Sequence, residues 1–388
     1  MIPCLLYTIF YSEALSFLYV YLDNAATTQP DVRAAIEEHI SGNWHNPSSG
    51  YAPAERAFAS VREAGDTLLR IAGMSGKCVF TSGGTEANNT AVFSCFRAKA
   101  HYVTSSIEHP SVYNAFRRLE AMGASVDFVK PRGFCIYARD VAELVREDTA
   151  LVSIMHVNNE TGAINDINSI AAAVKAKSPD TLFHSDGVQA LFKTEMKLSP
   201  DIDYYTLSAH KIHALKGTGA LLAREGRPVK PLLFGGGQQD GLRPGTENTL
   251  GIAAFREALI KGEESFGETK KKVRELSDML MNLISGIDGA ALNLPDERVP
   301  HILSVSFPGT RAEVLVRLLG QKGIYIGAGA ACSRGKESRV LLECGVGKDI
   351  AESAVRISMS AMNTKDDIEA CAEELCAAVK SLRGRGRK

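Results

Sequence analysis

A cysteine, a lysine, an aspartate and a histidine stand in this sequence where their chemistry is usable. Cys332 lies in GIYIGAGAACSRGKE, after a run of glycines and alanines and just before Arg334 and Lys336. Nearby cations favour the thiolate, the nucleophilic form of the side chain; the plain alternative is that Cys332 is only the small residue of a strand end. Lys211, in LSAHKIHALKGTG, follows an apolar run and sits beside Ser208 and His210. A desolvated lysine is a usable amine nucleophile, as a Schiff base requires; a lysine after a strand is otherwise an ordinary solvated one. Asp186, in FHSDGVQ with Gln189 close behind, offers a carboxylate able to keep a pyridinium nitrogen charged. With His184 it could instead ligate a metal, but no third ligand stands at a convincing spacing. His109, in SSIEHPSV, either stacks on a ring or belongs to a surface loop. TSGGTEANN, residues 81–89, offers small residues and a helix N-terminus for an anion, with Gly84 and Thr85 at its centre. It has neither the P-loop lysine nor the dinucleotide spacing, and the plain alternative is a glycine turn capped by Thr85.

The elements that must position these groups follow from the apolar pattern. The runs 78–82, 101–106, 150–157, 181–186, 203–209 and 219–224 are short, apolar on consecutive positions and bounded by turn residues. Such runs read as strands buried on both faces of a mostly parallel sheet. Helical spacing fills 85–100, 110–123 and 167–178, so the class is α/β with helices on both faces. A Gly-rich connector, 234–249, ends the alternation, and a long helical region follows from Leu250 to about Leu283, weakened around Gly262 and Gly267. This divides the chain into a large domain, 23–250, and a smaller α+β domain, 251–388. The second contains apolar runs at 302–307, 324–329 and 355–360, and helices at 311–321 and from Lys365. Ligands in open α/β sheets bind beyond the carboxyl ends of the strands. Thr81–Thr85, His109, Asn158 and Asn159, Asp186, and Ser208–Lys211 all fall there, on one rim. A phosphate site, a Schiff-base lysine and a carboxylate on that rim suggest pyridoxal phosphate.

Bulk properties exclude other classes. Lys plus Arg total 44 against 45 for Asp plus Glu, which points to neither nucleic acid nor a membrane surface. The eight cysteines form no CxxC pair, so they read as free thiols of a reducing, cytoplasmic setting and not as a zinc site. The apolar start, residues 1–22, has no basic leader region and is interrupted by Glu13. It reads as an extension that packs near the small domain, leading into a strand at Leu18–Leu22, and not as an anchor.

From YLDNAATTQP to VRISMSAMNTKDDIE the chain resembles the cysteine desulfurases of the class-V branch of fold-type I pyridoxal-phosphate enzymes. The specific stretches are HNPSS (45–49), FTSGGTEANN (80–89), IEHPSV (107–112), VSIMHVNNETG (152–162), HSDGVQ (184–189), SAHK (208–211), GGGQQDGLRPGTEN (235–248) and GAACS (329–333). The resemblance implies that Lys211 forms the Schiff base and moves the proton, Asp186 pairs with the ring nitrogen and Gln189 bonds the ring hydroxyl. It implies that His109 stacks on the ring and that Gly84, Thr85, Ser208 and His210 hold the phosphate. Thr246 would complete that cup from a neighbouring subunit, hence a homodimer. Asn159 would meet cofactor and substrate, and Asn46 and Arg356 would grip the substrate carboxylate; Arg356 is otherwise a structural ion pair.

The activity so implied takes sulfur from L-cysteine, leaves it as a persulfide on Cys332 and releases L-alanine. An acceptor such as an iron–sulfur scaffold protein, or the thio-modification of tRNA, would consume it. The competing readings are the same fold acting on selenocysteine or cysteine sulfinate, a silent scaffold, and a simple transaminase. Two stretches depart from the family pattern: Ser360–Ala361 stand where Gly-Arg is common, and RGKESRVLLECG replaces the usual serine-rich loop.

Overall fold

The computed structural model describes residues 19–329 and 338–385. Strand β1 (Val20–Tyr21) is shorter than the expected 18–22. The large sheet then holds β2 (Gly76–Thr81), β3 (His101–Ser105), β4 (Ser125–Val129), β5 (Thr149–Ser153), β6 (Leu182–Asp186), β7 (Tyr204–Ser208) and β8 (Gly219–Arg224). Their order is β2-β8-β7-β6-β5-β3-β4, and β8 alone runs antiparallel to its neighbours. Consecutive residues of the inner strands enter different cores: Tyr102, Leu151, Tyr204 and Leu221 join one, while Val103, Val152, Tyr205 and Leu222 join the other. Both faces are therefore covered, which is why these strands read as unbroken apolar runs. Edge strand β4 escapes that signature because SVDFV mixes a charge into a partly exposed segment.

The small sheet contains β9 (Ala291–Leu292), β10 (Ile302–Ser306), β12 (Gly327–Ala328) and β13 (Ala354–Ser358), antiparallel throughout. The single apolar run at 324–329 is split, because β11 (Ile324–Tyr325) leaves this sheet and pairs in parallel with β1. The segment after β1 stays on the small sheet: Asp23 bridges to Ser358 and Asn24 Nδ2 donates to the Ser358 carbonyl.

One helix, Thr249–Ser285, serves both cores without a break. Its first half buries Ile252, Phe255 and Leu259 against the large sheet, and its second half buries Val273, Leu276, Leu280 and Ile284 in the small domain. It spans the expected boundary at 250/251. The weakness expected at Gly262 has a packing reason instead: a Cβ there would stand 2.4 Å from the Phe192 ring, so only glycine admits that ring. Among the described residues no helix is long and apolar enough to cross a membrane.

Candidate active site

A cavity of about 440 Å3 opens at the carboxyl ends of the parallel strands. Lys211, Asp186, Gln189, His109, Asn159, Gly84, Thr85, Ser208, His210 and Arg356 all line it, with Arg356 coming from the small sheet and the others from the segments around the large one.

Asp186 ends β6 and is almost fully buried. Its Oδ2 accepts from Asn88 Nδ2 at 2.7 Å and its Oδ1 from the Val188 backbone N–H at 3.0 Å. Both donors are neutral amides, which fix the carboxylate's direction. His109 N-caps the helix Pro110–Ala121, and its Nδ1 accepts from the Ser111 N–H at 3.2 Å. A backbone N–H only donates, so the proton of the neutral ring sits on Nε2. Burial lowers the pKa of His109 and keeps it neutral.

Lys211 ends a single 3-10 turn, Ala209–Lys211, directly after β7. Its Nζ donates to the carbonyls of Ala25 and Ala26 at 2.6 and 2.8 Å. Gln189 Nε2 donates to the same Ala25 carbonyl at 2.8 Å. The 25–26 turn therefore holds the amine and the amide side by side. His210 is pushed down to about 4 by burial, with the Lys211 and Lys216 charges adding to the effect. It contacts Thr27 Oγ1 through Nδ1 at 3.1 Å.

The helix Gly84–Ser94 starts at the cavity wall, and its first N–H groups have no carbonyl partner within the helix. A Cβ on Gly84 would lie 2.8 Å from Val188 and fill part of the cradle. Thr85 does not cap this helix: Gly83 is the N-cap, and Glu86 reaches back to the Ser82 N–H at 2.7 Å. Glu86 is in turn held by Arg243 Nε at 3.0 Å, which ties the Gly-rich connector to the cradle.

Arg356, on β13, is 2% exposed. Its Nη2 meets Asp23 Oδ1 at 2.8 Å and its Nη1 donates to the Asn159 carbonyl at 2.9 Å. Nε has no partner. The ion pair and the cavity position coexist: Asp23 aims a guanidinium that also lines the cavity. Arg339 also reaches the cavity wall, with its guanidinium 4.0 Å from the Tyr113 ring and Nη2 donating to the Glu108 carbonyl at 2.6 Å.

Two expected residues are not brought to the cavity of their own chain. Asn46 is exposed, and its Oδ1 accepts from the Ser48 N–H at 2.9 Å, capping its own turn. Thr246 is exposed on the connector, away from the cavity. Cys332 and most of the apolar start lie outside the described residues. None of the described cysteines lines the cavity, and burial raises Cys95, Cys344 and Cys371 to about 12. His184 gives no metal corner: its nitrogens meet Ser153 Oγ at 2.8 Å and Thr206 Oγ1 at 3.0 Å. Sequence reasoning missed Asn88, Ser111, Asp23 and Arg339. All four stood in stretches already quoted, but none was singled out by itself, because their neighbours carried the more reactive groups.

An amine, a buried carboxylate, a capped histidine and an anion cradle at this strand rim define a class of enzyme, and the chain belongs to it: the "Aminotransferase class-V" family matches residues 20–371. Within that family the chain falls with the cysteine desulfurases. It is 34% identical to the "Cysteine desulfurase IscS" of Methanosarcina thermophila, over 94% of this chain and 93% of that one. It is 32% identical to the "Cysteine desulfurase IscS 1" of Archaeoglobus fulgidus, over 94% and 97%. Among solved structures it superposes on a "NIFS-LIKE PROTEIN" with TM-score 0.88 at 32% identity, covering 94% of this chain and 100% of that one. It also superposes on "SspA in complex with cysteine" with TM-score 0.76 at 29% identity, covering 89% and 100%.

Proposed function

We propose that this chain is a pyridoxal-phosphate-dependent cysteine desulfurase, converting L-cysteine to L-alanine and passing the sulfur to Cys332 as a persulfide. The observation that carries this reading is the meeting of Lys211, Asp186, His109 and Arg356 in one cavity. The residues present fit the cofactor: a cradle that a Cβ at Gly84 would invade, and a buried carboxylate aimed by two neutral amides. When bound, the cofactor supplies a carbonyl for amine exchange and an electron sink beside the substrate α-carbon.

The chain's own residues do the rest. Lys211 would hold the cofactor through Nζ, and as the free amine beside the substrate it would take the α-proton. Asp186 would pair with the ring nitrogen, Gln189 would bond the ring oxygen and His109 would cover the ring. Gly84, Thr85, Ser208 and His210 would hold the phosphate, completed by Thr246 of a second subunit in a homodimer. Arg356 takes the substrate carboxylate with Asn46, and Asn159 lies between substrate and cofactor. Cys332, as a thiolate, attacks the substrate sulfur; the carbon–sulfur bond breaks, a sulfur–sulfur bond forms, and the carbon skeleton leaves as alanine. A cytoplasmic acceptor protein, such as an iron–sulfur scaffold, or a tRNA-thiolation partner then removes the sulfur.

Two measurements test this. The purified protein should carry a visible absorption band that is lost in Lys211→Ala. After mixing with cysteine, mass spectrometry should find one added sulfur on the peptide bearing Cys332, with alanine in equal amount. Sulfur on another cysteine, or a keto acid in place of alanine, overturns the reading. Turnover of selenocysteine that survives Cys332→Ala, without turnover of cysteine, would replace the substrate.

A further inference from the structure

Lys193 follows Gln189 by four residues, in the turns after β6, and is only 7% exposed. Its Nζ donates a short hydrogen bond to Gln189 Oε1. Gln189 Nε2 in turn donates to the Ala25 carbonyl, which also accepts from Lys211 Nζ. An ammonium only donates and a carbonyl only accepts. Of the two ways the Gln189 amide can be placed, just one satisfies both neighbours. Reversing it would set Nε2 against an ammonium and Oε1 against a carbonyl.

We propose that Lys193 is a positioning residue for the cofactor: it locks the Gln189 amide so that Nε2 faces the Lys211 side, where its second hydrogen meets the ring oxygen. The inference rests on the pyridoxal-phosphate reading above. Its second consequence is electrostatic. Lys193 is buried near Lys211: burial, with the Lys211 and Arg356 charges, lowers its pKa to about 7, so it is a full ammonium only below that pH. It also lines a cavity of about 300 Å3 between the domains, where Asp31, Lys211, His213, Lys261 and His301 are the other titratable side chains. His213 and His301 are themselves shifted down by burial, which leaves Lys193 on one side of Lys211 and the buried Arg356 on the other as its cationic neighbours. While charged, below about pH 7, Lys193 would disfavour a further positive charge at Lys211 Nζ.

The test uses full-length apo protein titrated with pyridoxal phosphate, reading the visible band for affinity and for the pH at which the band changes. Lys193→Met should weaken binding about fivefold, the scale of one net hydrogen bond, and move the pH transition upward. Gln189→Leu should weaken binding by a similar factor, and the double variant should be no weaker than the poorer single one. Lys193→Arg, which keeps the donor, should retain most of the affinity. Additive losses, an unmoved pH transition in Lys193→Met, or an Arg variant as weak as the Met variant would overturn the inference. A wild-type protein that develops no band at all would overturn the cofactor reading instead. Thermal unfolding of the apo variants separates misfolding from these effects, and the Arg and Gln189 variants decide the matter if Lys193→Met does not fold.

Discussion

Asp23 Oδ1 lies 2.8 Å from Arg356 Nη2, so a residue just after the first strand aims the guanidinium of the small sheet. Asp23→Asn keeps an acceptor but removes the charge, leaving Arg356 less firmly oriented. The Michaelis constant for cysteine should rise roughly tenfold while kcat changes much less, because the lost interaction concerns carboxylate binding. Arg356→Lys should cost more, since a lysine cannot reproduce a forked contact. Steady-state kinetics on the two variants check the order.

Asn88 acts on Asp186 in the same indirect way. Its hydrogen bond at 2.7 Å fixes the direction of the carboxylate, so Asn88→Ala should weaken the grip on pyridoxal phosphate about fivefold, the scale of one net hydrogen bond. Titration of the apo variant with the cofactor, followed by the visible band, measures this. An unchanged affinity would assign Asn88 to packing alone.

Acid should destabilise the fold through buried neutral histidines. Burial lowers His156 to about 4, and His184 and His301 to about 3. The unfolded chain takes up these protons near the ordinary histidine value, while the native state refuses them, so stability falls as pH drops below about 6.5. Glu108, raised to about 8 by burial, and Glu160, also raised by burial, have the opposite slope but are outnumbered by the buried histidines. The thermal midpoint of the apo protein should fall between pH 7 and pH 5, and less steeply in His184→Gln.

The long helix carries a steric prediction. Gly262→Ala adds a better helix former, yet its Cβ would stand 2.4 Å from the Phe192 ring. Overpacking should win, costing about 1–3 kcal/mol by chemical denaturation. The pair Gly262→Ala with Phe192→Leu should recover part of the loss.

Much of the architecture was legible because inner strands buried on both faces must be apolar at every position. Strand β4 was not, since an edge strand carries polar residues and loses that signature. Gly262 misled for a related reason: propensity counts the cost of a glycine in a helix but not the ring that packs against it. Lys211 and Asp186 could be picked out because residue type, together with a place at a strand end, already restricts the chemistry, whereas the roles of His109 and Gln189 needed the resemblance. Asn46 and Thr246 were carried by resemblance alone, and this chain's own cavity holds neither.

What the amino-acid order determined by itself was therefore the class of fold, the rim and the reactive groups, all of which follow from local pattern. The tertiary structure decided how those groups are aimed. Asp186 takes its direction from a residue 98 positions away and Arg356 from one 333 positions away. Hydrogen bonds at such separations have no periodicity to betray them. They exist only after the sheet has closed, the small domain has docked and buried polar atoms have had to find partners.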